Sequence, residues 1–488
     1  MEEQFNLYSV FRETVASQPD HSAIIGPGED QHLSYRELSD RIDAVSSKLE
    51  AHDVGQGMCI GMHIESGLDY ILFAYAIWKC GASIVPIAVE LVAEEKSRIC
   101  KEIGISAVVT KQDSLNIFEP FLQGQTGKIS EEIIFIPVKQ FRQHPPGLSE
   151  INTAFIRFTS GTTGTSKGIV LSHETIFERI HAANDGLHIG SQDKVVWLLS
   201  MSYHFAVSIV AYLSFGASII LCRNFFGTTI VKTSAHYRAT LIYGSPVHYH
   251  FMASAPGSQA LPDLRLAIST TNKMKKETAE AFFDRFKLAP SEAYGIIEVG
   301  LPFINLDKVR EKTGSVGKAL PSYEMELSDC GFGADMPEIK LRGKGFIDAY
   351  YEPWRLREEI MQDGWFHTGD LGQLDEDGYL YIVGRSKEII NVGGMKFFPQ
   401  EVEKVLESHP GISEACVYSA SHPRLGETPH ANVVAEPGVD RLPVEEELRD
   451  YCARYLETLK IPEEIRFLDK LERTASGKLI RQKVSLNR

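Results

Sequence analysis

Residues 158–173 read FTSGTTGTSKGIVLSH: an unbroken run of Thr, Ser and Gly from Thr159 to Ser166, a lysine at 167, then an apolar stretch. The run follows the triplet IRF (156–158) and is expected to lead into a helix, which makes it a loop framed by a strand and a helix. Small residues let backbone N–H groups approach a polyphosphate, hydroxyls add donors, and Lys167 brings a charge. A plain surface loop accounts for the same composition. The GxxxxGK[ST] pattern of a P-loop does not fit, because Lys167 stands between Ser166 and Gly168.

Working outward, short apolar runs alternate with helical patterns on both sides of this loop. On the N-terminal side, LSYRELSDRIDAVSSKLE (33–50) is an amphipathic helix with Ser34 placed to cap it, followed by CIGMHI, a helical segment through Ile77, ASIVPIAV and SAVVT. On the C-terminal side the rhythm resumes in VVWLLSM, a helix-like run from Phe205, ASIILC, TLIYGS and LRLAIS. Such alternation predicts α/β lobes with parallel sheets in the first 300 residues.

From about Lys312 the runs shorten between Gly and Asp turns (GSVGKAL, YEMELSD, PEIKLRG, GYLYIVG), which predicts antiparallel strands of a small β subdomain. After Gly384 a second change brings helix PQEVEKVLESHP, strands EACVYSAS and HANVVAE, helix VEEELRDYCARYL and strand EIRFLD. The expected architecture is therefore α/β: a large N-terminal domain over residues 1–384 and a small α+β C-terminal domain over 388–488.

Composition excludes several functions. With 488 residues, 43% hydrophobic and 24% charged, the chain is too long for one small module and too apolar to be disordered. Fifty Lys and Arg against 65 Asp and Glu give a net charge of −15, which repels nucleic acid and anionic membranes. The seven cysteines are scattered without a CxxC pair, as in a reducing cytoplasmic setting, and the start MEEQFNLYSVF is acidic where a signal peptide would be basic. Ala206–Leu221, sixteen residues long, is too short to span a bilayer and is expected to be a buried strand or helix.

Five further motifs follow the loop in order: AYGIIE (293–298), GWFHTGDLG (364–372), GRSKEII (384–390), GGMKFFPQEVE (393–403) and RTASGK (473–478). Together with the loop they resemble the adenylate-forming superfamily of acyl- and aryl-CoA synthetases, peptide-synthetase adenylation domains and luciferases, over nearly the whole chain. The resemblance implies an enzyme that joins a small carboxylic acid to the α-phosphate of ATP with Mg2+, releases pyrophosphate, and passes the acyl group to an acceptor. That acceptor is a pantetheine thiol, of CoA or a carrier protein, or alternatively an amine.

By the same resemblance, Thr159, Ser160, Gly161, Thr162, Thr163, Gly164 and Lys167 hold phosphate. Tyr294 and Gly295 lie against adenine, Asp370 and Arg385 hold the ribose, and Glu298 binds the magnesium. Lys478 is the catalytic lysine, and Glu298, His204 and Lys167 complete the expected catalytic set. Lys387 is the hinge, at 385–387, about which the small domain rotates, and Gly393 and Gly394 turn the hairpin that shapes the acceptor tunnel. Tyr203, His204, Pro246, Val247, Ile296 and Leu301 are expected to wall the acid pocket. With His204 where amino-acid-activating domains carry an aspartate, a free amino acid is disfavoured as donor, since its ammonium would lack a partner. Two positions depart from the family pattern: Ile297 replaces a threonine before the motif glutamate, and STTN (269–272) replaces a GGAP-like stretch. A non-catalytic relative that keeps the fold, and a kinase or ATP hydrolase that would release ADP or phosphate, are the readings from other classes.

Overall fold

The structure is a computed structural model that describes residues 4–28, 31–159, 167–331, 336–439, 441–474 and 479–481. The chain forms two compact units, one comprising residues up to 324 with 342–364, the other 325–341 with 365 onward.

The first unit is built on two nine-stranded sheets. At the centre of one, Cys59–His63, Ser83–Pro86, Ala107–Lys111 and Thr153–Thr159 run parallel. The other has Ser22–Ile25, Ser218–Leu221, Lys194–Trp197, Leu241–Gly244, Leu266–Ser269 and Ser291–Ile296 in parallel. Most of these strands are apolar and buried along nearly their whole length because both faces are covered, as parallel sheets require. The expected helix at 33–50 is Tyr35–Glu50, started by a reciprocal pair in which the Ser34 hydroxyl accepts from Glu37 N–H and the Glu37 carboxylate accepts from Ser34 N–H. Leu68–Lys79 is buried at nearly every position, and its Trp78 indole donates to Ala154 O at 2.9 Å.

Three local expectations resolve differently. Ala206–Leu221 contains both elements, helix Ile209–Ser214 and strand Ser218–Leu221, separated by Gly216 at φ +83°. Within GSVGKAL, Lys318–Ala319 pairs with Gly300–Ile304 and extends a nine-stranded sheet, because the ladder Phe303 to Ala319 leaves it no role in the smaller one. The Ser/Thr/Gly run leads into a buried strand, Lys167–Ser172, antiparallel to Thr153–Thr159, and the helix begins only at His173.

The second unit has a four-stranded sheet ordered Tyr323–Ser328, Glu338–Gly343, Phe366–Leu374, Leu380–Arg385. Its other sheet has five strands, with Gly426–Ala435 between Ile412–His422 on one side and Ile390–Val392 and Glu464–Phe467 on the other. Helices Pro399–Glu407 and Glu445–Cys452 cover it over a core of Val402, Leu406, Val417, Val433 and Leu448.

One buried histidine makes the first unit acid-sensitive. His173 is almost fully buried, its Nδ1 accepting from Leu7 N–H at 3.2 Å and so docking the N-terminal helix Leu7–Ser17, and burial pushes its pKa down to about 3. The unfolded chain takes a proton there below about pH 6.5 and the folded chain does not, so this stabilisation is full above that pH and fades below it. Going from pH 7 to pH 5 is expected to lower unfolding stability by about 2 kcal/mol through His173. Urea midpoints across that range, compared with a flatter profile for His173→Gln, check it.

Candidate active site

In the first unit the loop begins where Thr159 pairs with Lys167 across the two antiparallel strands. Ser160, Gly161, Thr162, Thr163 and Gly164 lie outside the described residues, and of Thr159 only the backbone is described. Gly168 must be glycine, because a Cβ there would meet Tyr351 Cβ at 2.7 Å where strand Ala349–Tyr351 closes on Lys167–Ser172. That close approach sets Tyr350 beside Lys167. Lys167 Nζ lies 4.3 Å from the Tyr350 ring centroid, and the Tyr350 hydroxyl donates to Glu298 Oε1 at 3.4 Å. Lys167 and Glu298 are thus gathered around one phenol, whose pKa is pushed up by burial and by the Glu298 charge.

Glu298 stands on a turn between Ser291–Ile296 and Gly300–Ile304. Gly295 permits that turn, since a Cβ would fall 2.3 Å from Gly300 O. The turn is pinned from two sides: Ile347 N–H donates to Glu298 O at 2.7 Å, and Arg179 Nη1 donates to Ile297 O at 2.9 Å. Arg179 is 1% exposed, and its Nε and Nη2 donate to Gly345 O at 3.0 and 2.6 Å. Burial pulls its pKa down to about 10, so it remains a cation at neutral pH. Where the family pattern has a threonine hydroxyl, Ile297 contributes its backbone carbonyl to this clamp.

The residues expected to wall the acid pocket lie near the carboxyl ends of the parallel strands, where ligands of open α/β sheets bind. The ring of His204 meets Trp197 and Tyr243 edge-on, both at 6.1 Å, and those two rings stack on each other at 5.5 Å. Tyr203 lies under Arg157, whose guanidinium is 4.8 Å from the ring centroid. Ile296 and Leu301 are half-buried on the Glu298 hairpin, and Pro246 opens helix Pro246–Ser254. Val247 is 48% exposed and faces solvent more than an enclosed pocket. In the STTN stretch, Thr271 adopts φ +76°, a left-handed conformation that glycine takes freely and a β-branched residue does not. The strain is held by its flanks, with Thr270 N–H bonded to Gly244 O at 3.0 Å and Met274 N–H to the buried Glu292 carboxylate at 3.1 Å.

In the second unit, Asp370 and Arg385 are directly opposed on neighbouring strands. Arg385 Nε donates to Asp370 Oδ1 at 2.6 Å, and Asp370 is 4% exposed. Lys387 is exposed in the short turn Ser386–Glu388. Gly393 and Gly394, at φ +59° and +96°, form the two-residue turn of hairpin Ile390–Val392/Met395–Phe397, which requires left-handed backbone at both positions. Beside it lies an open groove of about 390 Å3 lined by Ser386, Asn391, Gly394, Lys396 and Glu427 among others. Lys478 lies outside the described residues. On either side of it, Arg473 pairs with Leu479, and Arg481 is ion-paired with Glu403 and, at 3.4 Å, with Glu388.

Glu298 offers one oxygen-donor carboxylate, and no group of three or more His, Cys, Asp or Glu among the described residues is placed to cage a metal. A single carboxylate such as Glu298 is a donor that suits Mg2+, which is ordinarily held by one or two carboxylates with phosphate and water oxygens.

Sequence comparison accounts for this layout. The AMP-binding enzyme family matches residues 11–351, and the AMP-binding enzyme C-terminal domain matches residues 401–478. The chain belongs to the AMP-binding enzymes. Among relatives of this adenylate-forming enzyme is a sulfoacetate–CoA ligase of Cupriavidus necator, 28% identical over 96% of this chain and 95% of that one. A 2-succinylbenzoate–CoA ligase of Bacillus licheniformis is 27% identical over 96% and 97%. Among solved structures, the o-succinylbenzoate CoA synthetase of Bacillus subtilis, in complex with its acyl-adenylate intermediate, superposes with a TM-score of 0.83 at 25% identity, covering 98% of this chain and 97% of that one.

Sequence reading of this AMP-binding enzyme passed over Arg157, Arg179, Glu292, Tyr350 and Arg481. For Arg179 a signal existed: it lies between Ile176, Ile180 and Ala183 on the buried stripe of helix His173–Leu187, where a charge needs an explanation. Thr271 yields a test. Replacing it by Gly removes about 1–3 kcal/mol of backbone strain against a flexibility cost of roughly 0.5–1 kcal/mol. Thr271→Gly is therefore expected to raise unfolding stability by about 1 kcal/mol, read from urea denaturation.

Proposed function

We propose that this AMP-binding enzyme is an acid–CoA ligase: it joins a small carboxylic acid to ATP as an acyl-adenylate, releasing pyrophosphate, and transfers the acyl group to the thiol of CoA with loss of AMP. The observation that carries the reading is the grouping of Lys167 and Glu298 around Tyr350 at the mouth of the Ser/Thr/Gly run. A carboxylate attacking a polyphosphate is an encounter of anions, and it needs both cationic donors and a metal-binding carboxylate held in place beforehand. The CoA ligases named above, matched over nearly their full lengths, support the thiol acceptor.

In this reading Lys167 and the hydroxyl-rich run neutralise the phosphates. Mg2+, taken by Glu298, would supply Lewis-acid charge cancellation on phosphate oxygens. Asp370 is the acceptor for ribose hydroxyls, with Arg385 fixing its orientation through their ion pair. The aromatic surroundings of His204 favour an aryl, cyclic or short aliphatic chain next to the reacting carboxyl. Lys478 is the cation that stabilises charge building between carboxylate and α-phosphate, and Lys387 is the pivot between adenylation and transfer, with 1–384 and 388–488 as the parts that move.

A panel of carboxylic acids with ATP, Mg2+ and either CoA or amino acids, read by mass spectrometry, is expected to give AMP and an acyl-CoA. Release of ADP, or amide without thioester, would overturn the assignment. Lys478→Ala is expected to lower pyrophosphate exchange at least about 100-fold while retaining thioester formation from preformed acyl-AMP; equal loss of both half-reactions would remove the role given to this lysine.

A further inference from the structure

Arg157 sits on strand Thr153–Thr159, two residues before the Ser/Thr/Gly run, and is only partly exposed. Its guanidinium donates one hydrogen bond, from Nη1 to Tyr203 O at 2.8 Å, and lies over the Tyr203 ring. Its Nε–H is buried with no hydrogen-bond partner. Among the described residues no carboxylate comes within the 4.0 Å of an ion pair with it. Burial works against its charge, and Glu298 is the carboxylate whose field favours it.

A guanidinium stays protonated even when desolvated, so a half-buried arginine with most of its donors unused is costly unless an anion completes it. The contrast with Arg179 is informative: there every nitrogen has a carbonyl, and the residue needs nothing more. The unused donors of Arg157 are tied through Tyr203 to the acid side of the site, next to His204, while Lys167 and Glu298 serve the phosphate side.

We propose that Arg157 is a specificity-determining residue that pairs with a second anionic group on the acid, so that the preferred substrates are short acids carrying a further carboxylate or sulfonate. This rests on the acid-activating reading above. A planar fork of donors matches a carboxylate or sulfonate in two parallel hydrogen bonds, and Tyr203 beneath it holds the fork in one orientation. The reacting carboxyl would then lie toward Glu298 and the loop, with the second anion anchored at Arg157.

The test uses the full-length protein and matched acids that differ in one terminal group: malonate against propionate, succinate against butyrate, and sulfoacetate against propionate. Pyrophosphate exchange is expected to favour the dianion in wild type by roughly 100-fold in kcat/KM, and Arg157→Met to reduce that ratio by a similar factor, mostly through KM for the acid. Arg157→Lys, which keeps the charge without the fork, is expected to restore part of the preference. A wild-type preference for monoanions, an unchanged ratio in Arg157→Met, or a rise confined to KM for ATP would each overturn the proposal, the last by assigning Arg157 to phosphate. Should Arg157→Met not fold, the wild-type selectivity and the Arg157→Lys ratio still decide. Calorimetric titration of the same acids reads the second-anion preference without turnover, so absence of exchange with every acid refutes acid activation, whereas exchange without dianion preference refutes only this inference.

Discussion

The site in the first unit depends on keeping one turn still. Ile297 and Glu298 lie on the connection between two strands, and their carbonyls are held by Arg179 and by the Ile347 amide. A buried guanidinium is an expensive way to hold backbone, because a cation is removed from water. It is tolerable here because three of its nitrogens meet carbonyl oxygens, and because Gly345, at φ +70°, lets the chain approach where a Cβ would meet Arg179 Cβ at 2.5 Å. Once that clamp exists, Tyr350 can bridge toward Glu298 and Lys167 can rest on the Tyr350 ring. The arrangement of charges around the loop is a consequence of backbone fixation.

Much of this was legible in the chain itself, for identifiable reasons. The apolar runs at 59–64, 106–110 and 240–245 became buried strands because parallel sheets leave no polar face to confuse the pattern. Ser34 and Glu37 announced a helix start, and Gly393–Gly394 a tight turn, because each pattern satisfies a local rule without help from distant residues. Asp370 and Arg385 were linked in the sequence only through the family resemblance, and the structure sets them opposite each other on neighbouring strands.

What was not legible involves tertiary context. A strand of six residues, Lys167–Ser172, ending in a serine that caps the next helix, is hard to distinguish from the start of that helix until a neighbouring strand is known. Lys318–Ala319 is two residues long and takes its sheet from whichever edge it meets. Arg157 and Arg179 both sit in otherwise apolar surroundings, yet only the structure separates the one whose donors are consumed from the one whose donors are not. Thr271 likewise carries its strain in a backbone angle that no side-chain pattern announces.

The ion pairs of Arg481 with Glu403 and Glu388 tie residues 479–481 to a helix and to the turn beside Lys387. Glu403 is 7% exposed, and without the guanidinium it would be a carboxylate stranded away from water. Residues 479–481 therefore work as a latch of the second unit. Trimming the protein at 478 for expression would spare every motif and still open that latch, so truncation boundaries belong after Arg481.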